Sequence, residues 1–314
     1  MGAIVKAFLT TLFFDRGHHR LRNGWWVLIF IAFIAVTRVI HRPIVDALKQ
    51  LDAHEAWREP LPVLCALLAT WACVRLRRQS LASVGFKLDR RWVKEFAGGI
   101  VIGMATLLTA AAMIWATGNV RFELDPQRSV AAMMYGVYVF FFAAMLEEIL
   151  FRGFLFQRLL DGIGAWGTQI ALAALFAAAH WSNPGMEGAT RVWATIDISL
   201  AAVFLGLAYL RTRSLALPIG LHLGWNWAQG HLLGFGVSGF DHNGWLRPVF
   251  DGQTTWLSGG EFGPEASVFG VLTDLILIGL LWKWRGSATA PVAALERDAG
   301  SVPALQGADR RATG

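Results

Sequence analysis

Residues 129–157 read SVAAMMYGVYVFFFAAMLEEILFRGFLFQ, and the fold follows from how this stretch is read. From Ser129 to Leu146 it carries no charge. A helix needs about 20 mostly apolar residues to cross the hydrocarbon core of a bilayer. This run meets that length and then places Glu147, Glu148 and Arg152 inside the same apolar segment. Backbone N–H and C=O groups in lipid must be satisfied internally, which leaves helices or closed barrels. The two-residue alternation of a barrel strand is missing, so the stretch reads as helix.

Working outward, further apolar runs flank it at roughly 25–41, 60–75 and 95–117 before, and 165–181, 193–210, 214–234 and 266–284 after. The expected fold is all-α: a polytopic transmembrane bundle of about eight transmembrane helices. The 60–75 run is short, and 129–157 is too long for a simple span, which asks for tilt or extension into the cytosol. Of the 314 residues 55% are hydrophobic and only 16% charged, with mean hydropathy +0.47. Soluble domains carry about 25% charged residues, so the chain reads as an integral, multi-pass membrane protein of the cell membrane, or the inner membrane of a bacterium. Many of the 15 Trp stand near run ends, as interfacial anchors do.

The net charge of +6 would suggest nucleic acid in a soluble protein. Here Lys and Arg sit in short loops between apolar runs, so the bilayer is the expected partner and nucleic acid is not. The N-terminal arm, the 75–94 loop, the 158–164 and 211–213 turns and the tail together hold 19 Lys and Arg, against 7 in the four alternate segments. Arg38 and Arg152 fall within spans. The bias places both termini in the cytoplasm. The organisation is a cytoplasmic arm at 1–24, a bundle at 25–285 and a disordered tail at 286–314, rich in Ala, Gly and Pro. Cys65 and Cys73 lie roughly 12 Å apart on one helix, too far for a disulfide.

Ionisable groups inside spans are expensive and therefore candidates for function. Three spaced groups stand out. Glu148 and Arg152 are i,i+4 and share a helix face, whereas Glu147 is turned by about 100° and is left free for chemistry. Phe176 and His180 share a face across three alanines. His222 and Asn226 share another, after Pro218 and Gly220. Glu147 and His180 both lie about 25 Å from a turn centred near Ile163, so an antiparallel hairpin brings them to one depth. His222 lies only roughly 15 Å past its own cytoplasmic turn. Reconciling the two depths requires spans four and five to extend into the cytosol. Asp197 and Asp274 lie off these groups, Arg38 is close enough to a span end to snorkel, and His231, His242, His18 and His19 lie in or beside loops. None of these is assigned a role.

Glu-Glu-x-x-x-Arg, then Phe-x-x-x-His, then His-x-x-x-Asn, on successive apolar spans, resembles the CPBP family of intramembrane proteases, which includes type II CAAX prenyl proteases and bacteriocin-processing (Abi) proteins. The resemblance covers about 130–230, the protease-like core, and Leu81–Trp92 (LASVGFKLDRRW) is similar to the family's connector. It implies an eight-helix protease whose site opens toward the cytosol. It also implies that Glu147 and His180 activate water, that His222 and Asn226 stabilise the oxyanion, and that Glu148, Arg152 and Phe176 support them. The expected activity is that of a peptidase, a CAAX-type endopeptidase acting on a membrane-anchored or lipidated protein or peptide. No cofactor is favoured; a divalent metal such as zinc, held by Glu147, His180 and His222, is the alternative, although the His-Glu-x-x-His helix motif is missing. Two other readings are a non-catalytic membrane scaffold or immunity protein on the same fold, and a proton-coupled transporter. The latter lacks the expected inverted repeats.

Overall fold

The computed structural model describes residues 13–14, 21–251 and 254–287. Most of the N-terminal arm and nearly all of the tail lie outside the described residues. Among those described, eight long helices run in the order α1 (Asn23–Gln50), α2 (Pro60–Leu76), α3 (Arg90–Ala116), α4 (Val130–Arg152), α5 (Phe154–His180), α6 (Gly188–Thr212), α7 (Ala216–Trp227) and α8 (Val268–Lys283). Two short strands, β1 (Val120–Leu124) and β2 (Leu246–Phe250), form an antiparallel ladder between the α3–α4 and α7–α8 connections. The chain is an all-α polytopic bundle with that one ladder added.

Five stretches are long and apolar enough to cross a membrane: α1, Glu55–Leu76, α3, the 51-residue Val130–His180 and α6. Pro60 opens α2 at a position whose N–H has no helical partner. Asp89 caps α3 by accepting the Trp92 N–H at 2.9 Å, and this bond holds its carboxyl below the usual range. Leu28, Val36, Val39 and Ile40 of α1 are exposed, as a face turned to lipid tails requires. By contrast α7 is buried at every residue from Ala216 to Leu221, so its 12 residues are enclosed by other helices.

The overlong fourth run is divided in two. Gly153 leaves helical geometry at φ −78°, ψ −124°, ending α4. A Cβ there would stand 2.3 Å from the Ile149 carbonyl oxygen, so only glycine fits the break. A second break at Gly164 (φ 72°, ψ 178°) divides α5. The ten residues between the breaks pack against the start of α1, with Phe154 beside Trp26 and Phe30, and Gln157 donates to the Ser83 carbonyl at 2.5 Å.

These contacts define two ends. At one, Arg91 donates to Thr212 O at 2.5 Å, Leu215 N to Gly85 O at 3.1 Å, and Ser287 N to Arg211 O at 3.1 Å. This basic end gathers the 75–94 loop, the α6–α7 turn and the end of α8. The 77–89 segment there holds a single 3-10 turn, Leu81–Val84. At the opposite end Tyr138 donates to Ala56 O at 2.8 Å and the β1–β2 ladder forms.

Helix α7 is seated against α3 by four glycines. A Cβ on Gly99 would lie 2.6 Å from Leu217 O, and one on Gly103 2.1 Å from Leu221 O. A Cβ on Gly220 or Gly224 would meet α3 carbonyl oxygens at 2.2 Å. Without side chains between them, the two backbones approach directly.

Candidate active site

Glu148 is fully buried at 0% exposure and fastens α4 to α7. Its Oε1 accepts from Arg152 Nη1 at 3.0 Å and from His222 Nδ1 at 3.1 Å. Arg152, 1% exposed, also donates Nη2 to Ala202 O on α6 at 3.0 Å. Its guanidinium lies 4.9 Å from the Phe176 ring centroid. An enclosed ion pair is tolerable because each partner has further contacts of this kind.

Glu147 faces elsewhere. Its side chain is 31% exposed, and Oε2, itself screened from solvent, has no hydrogen-bond partner and lies 3.8 Å from His222 Nε2. His180 ends α5, and its Nδ1–H donates to the Phe176 carbonyl at 2.7 Å. A carbonyl only accepts, so in the neutral ring Nε2 keeps its lone pair. The same reasoning applies to His222: the carboxylate of Glu148 accepts, Nδ1 carries the proton, and Nε2 is a donor only when the ring is doubly protonated. Phe176 packs edge-on to Phe151 at 4.9 Å and against the His180 ring at 4.8 Å, so it stands between the two.

Glu147, His180, His222 and Asn226 line one inner recess of about 60 Å³. Glu147, His180 and Asn226 also line an adjoining chamber of about 360 Å³, walled by Phe140, Val237 and Phe240. Members of all three spaced groups therefore face one continuous space, with Glu148 and Arg152 behind its wall. Its roof is the segment after α7, which the sequence reading passed over. Ser238 lies on the wall of both parts in the left-handed region (φ 50°). It is held there by Asn183 Nδ2–H on its carbonyl at 3.0 Å and by its own N–H to Glu265 Oε2 at 2.6 Å. Glu265, 7% exposed, also lines the recess, within electrostatic range of His180 and His222.

Two residues left without a role are also close. Asp197 lines the recess. His242 lines the chamber beside Phe140 and His231, and burial pushes its imidazole down to about 4, so it is neutral at pH 7. Asp274 does not reach the cavity; it is 0% exposed, and neither carboxyl oxygen has a hydrogen-bond partner. The backbone N–H that fixes Glu265 has no sequence signature, and Glu265 sits in a loop rather than within an expected span.

Among the described residues no group of three or more His, Cys, Asp or Glu is arranged to hold a metal ion. His180 Nδ1–H donates to a carbonyl and His222 Nδ1–H to Glu148, which leaves the Nε2 lone pair of each neutral ring facing the cavity side groups.

The mouth of the chamber is set by its lining. Along α4 it runs from Glu147 toward Phe140, and beyond α7 it runs from Asn226 to Phe240, which is 52% exposed. Both directions lead to the end carrying the β1–β2 ladder, away from the basic end.

No curated protein and no solved structure matches the chain. Residues 129–228 match the family model described as Type II CAAX prenyl endopeptidase Rce1-like, a protease family, and this segment holds Glu147, Glu148, Arg152, Phe176, His180, His222 and Asn226. Over residues 129–228 the chain carries an Rce1-like domain of the CAAX protease (CPBP) family.

Proposed function

We propose that the chain is a multi-pass intramembrane endopeptidase of the cell membrane that hydrolyses a peptide bond of a membrane-anchored or lipidated protein with water as nucleophile. The observation that carries this reading is the partnerless Oε2 of Glu147, facing a cavity it shares with His180, His222 and Asn226. Water between Glu147 and the scissile carbonyl gives a proton to Glu147 as its oxygen bonds to the carbonyl carbon. The oxyanion that forms is met by the Asn226 amide N–H groups and by His222 Nε2–H in the doubly protonated ring. Such donors are worth about 3–4 kcal/mol in a site closed to water. Collapse breaks the C–N bond, and the proton returns to the leaving amine from Glu147, directly or through the lone pair on His180 Nε2. Glu148 and Arg152 contact neither water nor substrate; they hold the His222 ring. The reading requires no metal, and a chelator is expected to leave cleavage unchanged.

The test is proteolysis in defined liposomes, with a panel of lipidated and membrane-anchored peptides offered to the wild type, Glu147→Gln and Asn226→Ala. Cleavage by the wild type, its loss in Glu147→Gln and a fall of about 10²-fold in Asn226→Ala are expected, with all three proteins equally folded. Cleavage that survives Glu147→Gln would sink the mechanism. A protein that cleaves nothing in the panel would instead be a scaffold on this fold.

A further inference from the structure

Two expectations from the sequence conflict once the fold is known. The charge bias places the termini in the cytoplasm, and the family resemblance has the site opening toward the cytosol. The structure puts the termini-side segments and the mouth of the chamber at opposite ends of the bundle. The 75–95 segment alone carries seven Lys and Arg against two Asp and Glu, and its contacts with Thr212, Leu215 and Gln157 fix it at the end away from the mouth. The 233–266 segment that roofs the mouth carries one Arg and four carboxylates. No lining residue of the chamber comes from the basic end. The orientation of a polytopic chain follows the Lys and Arg of its short loops, and acidic residues contribute little to it. Among the described residues the basic-end segments hold 13 Lys and Arg against 7 in the others, and by that rule the basic end is the cytoplasmic one.

We propose that the catalytic chamber opens on the non-cytoplasmic face of the membrane, so that the peptide reaching Glu147 is presented from outside the cytoplasm. As far as it names a substrate, this rests on the hydrolytic reading above. The substrate class is the outward-emerging segment of a membrane-anchored protein, or an exported peptide seated on the outer leaflet. A lipidated C-terminus on the cytoplasmic leaflet would meet the basic end, where the chamber has no wall.

The test uses the full chain in intact cells with a membrane-impermeant maleimide, read as labelling above that of the parent, whose two cysteines are both within α2. Asp241→Cys and Asn243→Cys stand at the mouth on exposed positions, and Lys87→Cys at the basic end, where its side chain is 77% exposed. The expected result is strong labelling of both mouth positions before permeabilisation, and at least about tenfold less at position 87 until the membrane is opened. Labelling of position 87 in intact cells overturns the proposal, as does labelling of the mouth positions only after permeabilisation. In proteoliposomes of known orientation, a single-span reporter should be cut only when its cleavable segment emerges on the Asp241 side. Cutting on the Lys87 side also overturns it. An uncut reporter on both sides, together with the expected labelling, refutes the hydrolytic reading and leaves the outward mouth standing.

Discussion

Adjacent carboxylates at 147 and 148 are expected to fail in different ways. Glu148 holds Arg152 and His222 in a dry interior, so Glu148→Ala strands two donors and a buried charge. Breaking one partner of such a pair costs about 3–5 kcal/mol, which thermal unfolding in detergent will show as a large loss of stability. Glu147→Gln removes only a partnerless oxygen and should leave the same unfolding curve in place while abolishing cleavage. His222 yields a pH prediction from its tautomer alone. Because Nδ1–H is spent on Glu148, oxyanion donation from Nε2 needs the doubly protonated ring, and that contribution is lost as pH rises through its ionisation. The wild-type rate should therefore fall on the alkaline side, and in His222→Gln, whose amide donor does not titrate, that limb should flatten. Asp274 is the opposite case. Its oxygens receive no hydrogen bond and its neighbours in electrostatic range are the buried acids Asp197 and Glu265, so Asp274→Asn removes no attraction and should leave cleavage unchanged without lowering the unfolding transition.

Helix α7 carries His222 and Asn226, but its position is set by α3. Gly98 and Gly99 are adjacent and make an internal control: a Cβ at 98 meets nothing within 4 Å, and one at 99 meets Leu217 O at 2.6 Å. Gly99→Ala should cost about 1–3 kcal/mol and shift α7 enough to slow cleavage, while Gly98→Ala stays near neutral in both. Equal effects would show that α7 is not positioned by this contact. At this scale the sequence was largely legible. Apolar runs mark lipid-length helices, and the observed ones lie close to the expected spans. What it concealed has physical causes. Gly153 divides the fourth run without a proline or a polar break to announce it. Helix α7 is apolar apart from His222 and Asn226 because nearly all its other residues are enclosed by neighbouring helices, not because they face lipid. The β1–β2 ladder joins segments more than a hundred residues apart, which local pattern does not report. The spacing of Glu148 and Arg152 could be read from helix geometry. The Glu265–Ser238 clasp could not, because it depends on a backbone N–H in a loop.

For the molecule as a whole, the family-matched segment 129–228 contains the three spaced groups but neither their seat nor their roof. Helix α3 precedes it, and Ser238, Glu265 and β2 follow it. The site is thus a property of the full bundle, and this can be tested by cutting the chain where cutting does least harm. Residues 126–129 are exposed between β1 and α4 and belong to no element that packs in the core. Such a loop tolerates interruption because little buried backbone is lost. Residues 1–127 and 128–314, co-expressed as two chains, should associate through the α3–α7 glycine contact and the β1–β2 ladder, copurify through a tag on either piece, and cleave the same reporter as the intact protein. The 128–314 piece alone retains Glu147, His180, His222, Asn226 and Glu265 yet lacks the surface against which α7 rests, so it should not cleave. Introducing Gly103→Val into the 1–127 piece places a branched side chain where a Cβ already stands 2.1 Å from Leu221 O, and should prevent both copurification and cleavage. If 128–314 cleaves without its partner, α3 is not the element that positions His222, and the close approach of the two helices serves packing alone.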